Sequence, residues 1–203
     1  MKLVIVDYGM GNVKSVMSAV RYLGYDDVSL SNEQSVLKQA DKLILPGVGN
    51  YARAMSRINE LDLTKTLREL VLQDKKPILG VCLGMQLMGE SSTEGGFNKG
   101  LGLIDGVVEA FTVKELKVPH VGYNQVKPCP ESRLYSNIHP EPDYYFTHSF
   151  RMLSDANIGK TTCLYGEEFV ASFEVDNIAG VQFHPELSQT NGLHLIKNFI
   201  ELF

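Results

Sequence analysis

The stretch PILGVCLGMQLM, residues 77–88, begins as a short apolar run, sets a cysteine between two glycines and then turns into Met, Gln and Leu, all good helix formers. Read as a strand over 77–81 passing into a helix, Gly80-Val81-Cys82-Leu83-Gly84 has the G-x-nucleophile-x-G form of a nucleophile elbow. Such a turn is sharp and holds its central residue in a strained backbone conformation, so a side chain at position 80 or 84 would crowd it. The thiol would stand at the carboxyl end of a sheet, where α/β folds place their ligands. The first amides of the following helix would favour a thiolate and hold a developing oxyanion, and the Leu83 amide is the natural first donor. The plain alternative is that Cys82 is one more buried small hydrophobe.

Outward from this turn, short apolar runs alternate with amphipathic stretches. LVIV (3–6) reads as a strand buried on both faces, and a helix over roughly Val13 to Leu23 ends at Gly24, where a left-handed cap residue belongs. VSL (28–30) and KLILP (42–46) read as strands, with helical spacing over Gln34 to Gln39, Tyr51 to Asn59 and Leu63 to Gln73. This alternation predicts a parallel sheet covered on each side, the doubly wound α/β class. The second half changes character. GVVEAF, VGYNQVKP, DYYFTH, TTCLYGEEFVASF and NIAGVQF are β-rich with close turn residues, which predicts antiparallel additions to the sheet before a closing helix over Ser188 to Phe203. No repeat or linker interrupts the chain, so 1–203 reads as one domain.

With 203 residues, 44% of them hydrophobic, the chain can bury a substantial core. A net charge of -5 with acids and bases interspersed offers no basic face for nucleic acid, and no apolar run is long enough to span a bilayer. The opening MKLVIVDYGMGN reads as a first strand and not as a signal peptide, so a cytoplasmic protein is expected. Cys82, Cys129 and Cys163 are widely spaced with no CxxC pair, which fits reduced thiols and argues against a disulfide frame or a metal site.

A nucleophilic thiol needs a base and something to orient it. Phe183-His184-Pro185-Glu186 supplies both: residues two apart in an extended segment share a face, so Glu186 can hold the His184 imidazole. His120, His139 and His194 have no carboxylate at a useful spacing, and His148 reads as loop or pocket lining. A second oxyanion donor is sought in Pro46-Gly47-Val48-Gly49-Asn50, after a strand, where two glycines let the backbone approach a substrate; an ordinary strand-to-helix turn is the equal alternative. Asp7-Tyr8-Gly9-Met10-Gly11-Asn12 invites a dinucleotide reading, but the third glycine of GxGxxG would fall on Lys14, and that cofactor is rejected. The expected chemistry is cysteine acyl transfer with no cofactor.

GVCLGMQLM, FHPE, LPGVG and DYGMGN together resemble the class I (triad) glutamine amidotransferases. VPHVGYN (118–124), STEG (92–95), GLGLIDG (100–106) and HPELSQTNG (184–192) are similar, more narrowly, to the glutaminase subunits of imidazole glycerol phosphate synthase, the HisH family. The resemblance implies a flavodoxin-like three-layer sandwich and the hydrolysis of L-glutamine to glutamate and ammonia. It implies Cys82 as nucleophile, His184 as base and then acid, Glu186 as orienter, and Gly49 and Leu83 as oxyanion amides. Gly47, Gly84, Gln86, His148 and Ser149 would bind glutamine, and Asn12, Tyr123, Asn124 and Leu187 would face a HisF-like cyclase subunit in a heterodimer. Tyr123 stands where the family usually has Trp, and Leu187 where it usually has Lys, both in segments facing the partner. A glutaminase subunit feeding another synthetase, such as one modifying surface sugars, a stand-alone cysteine hydrolase and a non-catalytic binding module remain the other readings.

Overall fold

The computed structural model describes residues 1–203. In chain order its strands are β1 (Leu3–Val6), β2 (Val28–Ser31), β3 (Lys42–Leu45), β4 (Ile78–Val81), β5 (Ser91–Ser92), β6 (Asn98–Lys99), β7 (Val107–Ala110), β8 (His120–Gln125), β9 (Asp143–His148), β10 (Phe150–Leu153), β11 (Thr161–Tyr165), β12 (Glu167–Val175) and β13 (Ile178–Val181). The helices are α1 (Val13–Tyr22), α2 (Gln34–Gln39), α3 (Tyr51–Glu60), α4 (Leu63–Arg68), α5 (Leu83–Leu87) and α6 (Gln189–Leu202). None is long and apolar enough to cross a membrane.

Seven strands form the central sheet in the order β11-β12-β13-β4-β3-β1-β2. The run from β13 to β2 is parallel, and β12 and β11 extend it antiparallel. The period-2 alternation of a strand explains why LVIV is apolar throughout: Val4 and Val6 enter the core on one face, Leu3 and Ile5 the core on the other. Side chains of α2, α3, α4 and α5 fill the first core, and those of α1 and α6 the second, giving three layers. Gly24, at φ +89°, closes α1 as the pattern predicts.

The structure corrects three expectations. The helical pattern of 63–73 is α4 followed by a π-helical turn, Glu69–Gln73, whose wider hydrogen bonding absorbs an extra residue. NIAGVQF is not an antiparallel addition, because β13 runs parallel to β4 in register from Ile178–Ile78 to Val181–Val81. GVVEAF and DYYFTH do not join the central sheet: β10-β7-β5-β6 is a separate sheet and β8-β9 a separate ribbon. Only the sheet's outer edges are open, since β4 is already paired with β3 and β13, so these segments satisfy their backbone groups on one another.

The consequence for function lies at β4. Cys82, directly after it, has φ 53° and ψ -112°, and its amide donates to Val181 O at 2.8 Å, which ties the turn to the end of β13. Glycine is required on both sides. A Cβ on Gly80 would sit 2.7 Å from Met85 Cα, and one on Gly84 would collide with the Leu45 carbonyl at the end of β3. Gly84→Ala is therefore expected to cost about 1–3 kcal/mol through overpacking against backbone. Thermal melting should show a midpoint several degrees below the parent, and an unchanged midpoint would mean that the turn has slack the structure does not show.

Candidate active site

Three strand ends converge on the thiol. Cys82 follows β4, the segment Pro46–Asn50 follows β3, and Gln182-Phe183-His184 follows β13. A cavity of about 380 Å³ opens there, lined by Val48, Gly49, Cys82, Leu83, Gln86, Glu94, Pro119, Thr147, His148, Ser149, Phe150 and His184. That volume lies near the lower end of the roughly 300–1,000 Å³ range for small-molecule clefts. A larger polar groove of about 840 Å³ along α4 is lined by no cysteine and no histidine.

His184 and Glu186 come together, by a different route from the extended one expected. Pro185–Leu187 forms a 3-10 turn, and within it Glu186 Oε1 accepts from His184 Nδ1 at 2.9 Å, with both side chains almost wholly buried. The turn is held from below: Ser188 Oγ donates to His184 O at 2.6 Å and accepts from the Tyr145 amide at 2.9 Å. The remaining imidazole nitrogen, Nε2, is buried without a nitrogen or oxygen partner, and His184 and Cys82 share the cavity wall. Burial opposes a charge on this ring, but Cys82 and Glu186 outweigh it and raise the His184 pKa to about 10.

The Pro46–Asn50 segment, expected to supply an oxyanion amide, is packed on the Cys82 turn. A Cβ on Gly47 would come within 2.5 Å of Gly84 N and 2.7 Å of the Tyr8 hydroxyl, and the hydroxyl itself donates to Pro46 O at 2.6 Å. Gly49, at φ +105°, lines the cavity, as does Leu83, whose amide heads α5 and has no intrahelical acceptor. Gly47 and Gly84, expected to touch glutamine, stand behind the cavity wall; they are glycines because two backbones meet there.

Gln86 lines the cavity with both amide protons already committed, to Phe150 O at 2.9 Å and Gln182 Oε1 at 2.8 Å, so its own carbonyl oxygen is what remains for a ligand ammonium. Ser149 lines the same wall. His148 does too, but its polar atoms are occupied. Nδ1 donates to Phe150 O at 2.8 Å, which leaves Nε2 to accept from His120 Nδ1 at 3.0 Å. Burial lowers the pKa of His120 to about 4, and burial together with His120 and His184 lowers that of His148 to about 3. His148 therefore contributes shape and a neutral wall.

The residues expected at a partner face divide. Tyr123 and Leu187 are 46% and 42% exposed and touch, the Tyr123 hydroxyl donating to Leu187 O at 2.8 Å. Asn12 and Asn124 instead spend their amides within the chain, Asn12 on a buried carboxylate and Asn124 on an exposed backbone carbonyl. Asn12 Nδ2 donates to Glu186 Oε1 at 3.1 Å, and Asn124 Nδ2 to Leu164 O at 3.2 Å.

Three residues were missed in the sequence. Tyr8 had a signal, since DYGMGN is one of the motifs behind the resemblance, which points only to Asn12 within it; the loop holds Pro46 through Tyr8 and Glu186 through Asn12. Glu94 accepts from Asn50 Nδ2 and the Tyr51 amide, both at 2.9 Å, and lines the cavity. Gln182 donates to Cys82 Sγ at 3.7 Å.

Comparison with known proteins agrees with this geometry. The family model for class I glutamine amidotransferases matches residues 4–202. The chain is 43% identical, over 99% of its length and 94% of the relative's, to imidazole glycerol phosphate synthase subunit HisH 2 of Vibrio vulnificus. It is 42% identical to the HisH subunit of Aquifex aeolicus over 98% of this chain and 96% of that one, and 43% identical to that of Pectobacterium atrosepticum over the whole of both. Among solved structures, a glutamine amidotransferase superposes with a TM-score of 0.74 at 17% identity, and Thermotoga maritima PurLQS with 0.74 at 16%, each over 98% of this chain and 97% of the other. At these identities the structures speak for the fold alone.

The histidines give a direct check. In an NMR titration His184 should stay charged until about pH 10, while His120 and His148 stay neutral down to about pH 4 and 3. Cys82→Ala removes the strongest influence holding the proton on His184, so its midpoint alone should fall. Parallel movement of all three midpoints would show that the Cys82–His184 pairing is not what sets the charge.

Proposed function

From the premise that the chain belongs to the class I glutamine amidotransferases, and within them to the HisH subunits of imidazole glycerol phosphate synthase, we infer that it hydrolyses L-glutamine and passes the ammonia to a HisF-like cyclase subunit. The observation that carries the chemistry is Cys82, at φ 53°, lining one small cavity with His184, whose imidazole is held by the buried Glu186 behind it. The whole chain, 1–203, acts as a single amidotransferase domain in the cytoplasm.

In the reaction, His184 already carries a proton on Nε2, and the Cys82 sulfur attacks the side-chain amide carbon of glutamine. A C–S bond forms as the carbonyl π pair moves onto oxygen, where the Leu83 and Gly49 amides receive it. The C–N bond then breaks, and the departing nitrogen takes the proton from His184 Nε2 to leave as ammonia. Water adds to the thioester and gives its proton to the now neutral imidazole; the S–C bond breaks, and glutamate leaves. Glu186, fixed by Asn12, keeps the imidazole presenting Nε2 throughout. Gln86 Oε1 and Glu94 are the acceptors available to the α-ammonium of glutamine, and Ser149 lies on the same wall.

Ammonia released into neutral water would be mostly protonated and no longer nucleophilic, so the partner must receive it directly. Tyr123 and Leu187, one residue from Glu186, supply an exposed patch suited to that contact. The cyclase subunit then inserts the nitrogen while forming imidazole glycerol phosphate and AICAR.

Cys82→Ser should abolish glutaminase activity with the melting curve intact, and an electrophilic glutamine analogue should label Cys82 while sparing Cys129 and Cys163. Because an orienter alone usually costs less than its base, Glu186→Gln should lower kcat by less than His184→Ala; the reverse order would mean that the roles are misassigned. Reconstitution with the cyclase subunit of the same organism tests the assignment as a whole. Glutamate release should rise on mixing and match imidazole glycerol phosphate one for one, whereas full glutaminase activity without any partner would sink the subunit reading.

A further inference from the structure

The Cys82 sulfur has a hydrogen-bond donor that the triad does not include. Gln182 follows β13 just as Cys82 follows β4, and because the two strands are parallel and in register, the residues are neighbours across the sheet end. Gln182 and His184 are two apart on the extended segment that continues β13, so both point toward the thiol. The Gln182 side chain is fully buried, and its Nε2 lies 3.7 Å from Sγ, within the range for a hydrogen bond to sulfur.

The orientation of this amide is fixed by its neighbours. Gln86 Nε2 has two protons. One goes to Phe150 O, which as a carbonyl can only accept, and the other to Gln182 Oε1. Turning the Gln182 amide over would set two NH2 groups against each other and bring a carbonyl oxygen against the sulfur. The chain of donors therefore ends on Sγ, with an N–H that has no competing acceptor among its hydrogen bonds.

We propose that Gln182 is a further catalytic residue, whose buried amide N–H holds the Cys82 sulfur in the attacking position and balances its negative charge before the C–S bond forms and again when that bond breaks. It exchanges no proton: the N–H stays on Gln182 while His184 gives its Nε2 proton to the leaving nitrogen and regains one from water. Charge-assisted hydrogen bonds between buried groups are the strong ones, and this one is made with the reacting atom itself. Gln182 stands behind the cavity lining and touches no substrate; its Oε1 also accepts from Gln86, but Phe150 O holds Gln86 independently, so the reaction's dependence on Gln182 falls chiefly on the chemical step. The assignment of that step to glutamine rests on the reading above; the contact with sulfur does not.

The test uses Gln182→Met and Gln182→Leu, which keep the bulk and remove the donor, in the chain assembled with its cyclase subunit. Alkylation of Cys82 by iodoacetamide at neutral pH reads the sulfur without glutamine, and steady-state kinetics read turnover. Both alkylation rate and kcat should fall about tenfold, with KM within about twofold, the mark of an interaction made to the reacting atom rather than to bound substrate. Unchanged alkylation and kcat, or a raised KM with kcat retained, overturns the proposal. Slowed alkylation in an assembly that never turns over glutamine, even as wild type, supports Gln182 while removing the glutaminase reading. Should neither variant fold, the wild-type Gln182 side-chain amide resonances decide the matter: alkylating Cys82 should shift the proton facing the sulfur, and indifference to alkylation overturns the proposal.

Discussion

The backbone of one residue organises this molecule. Cys82 is held at φ 53° and ψ -112°, a conformation that a side-chain-bearing residue adopts only at a cost of order 1–3 kcal/mol. Something must over-determine it, and the surroundings show what. β4 is gripped on both edges by β3 and β13, the Cys82 amide is tied to Val181 O, and α5 starts at once on the far side. Gly80 and Gly84 then let the turn close against Met85 and the end of β3 with no room for another carbon. The strain is maintained by the centre of the sheet, the part of an α/β fold with the most apolar surface buried on both faces.

From that constraint the site assembles by proximity of strand ends. β3, β4 and β13 are adjacent and parallel, so the segments leaving them meet at one edge and bring the Pro46–Asn50 backbone, the thiol and the imidazole together. The loop after β1 completes the arrangement from two strands away. Its Tyr8 hydroxyl holds Pro46, and its Asn12 amide holds Glu186, so one loop sets both where charge would develop and how the base is turned. Fixed dipoles and hydrogen bonds of this kind need no rearrangement during the reaction, which is where electrostatic stabilisation gains its strength.

What was legible in the sequence follows the reach of local rules. The GxCxG spacing, the strands apolar on both faces and the glycine after α1 carry their explanation within a few residues, and the parallel half of the sheet follows from them. The period-2 rule also joined His184 to Glu186, although a 3-10 turn achieves the contact that an extended strand was expected to make. Applied in the other direction, the same rule places Gln182 beside the thiol, but only if β13 lies parallel to β4, and β-rich composition does not state strand direction. Tyr8 and Glu94 were hidden for a similar reason: their partners, Pro46 and Asn50, are 38 and 44 residues away. Nor could composition tell that the second-half segments would pair with one another, because that depends on which edges of the central sheet are already taken.

Tyr123 and Leu187 show how a surface can vary while the chemistry beneath it stays fixed. The Tyr123 hydroxyl bonds the backbone carbonyl of Leu187, not its side chain, so the contact is indifferent to what residue 187 carries. The 3-10 turn that holds Glu186 is thus pinned from the surface by Tyr123 and from the interior by Asn12 and Ser188. Side-chain identity at 187 is thereby free to answer to a partner, while the backbone of the same residue belongs to the site. A partner pressing on this patch bears on a turn one residue from Glu186, and through Glu186 Oε1 on the imidazole itself. A contact made at this patch would therefore reach the imidazole through a single helical turn.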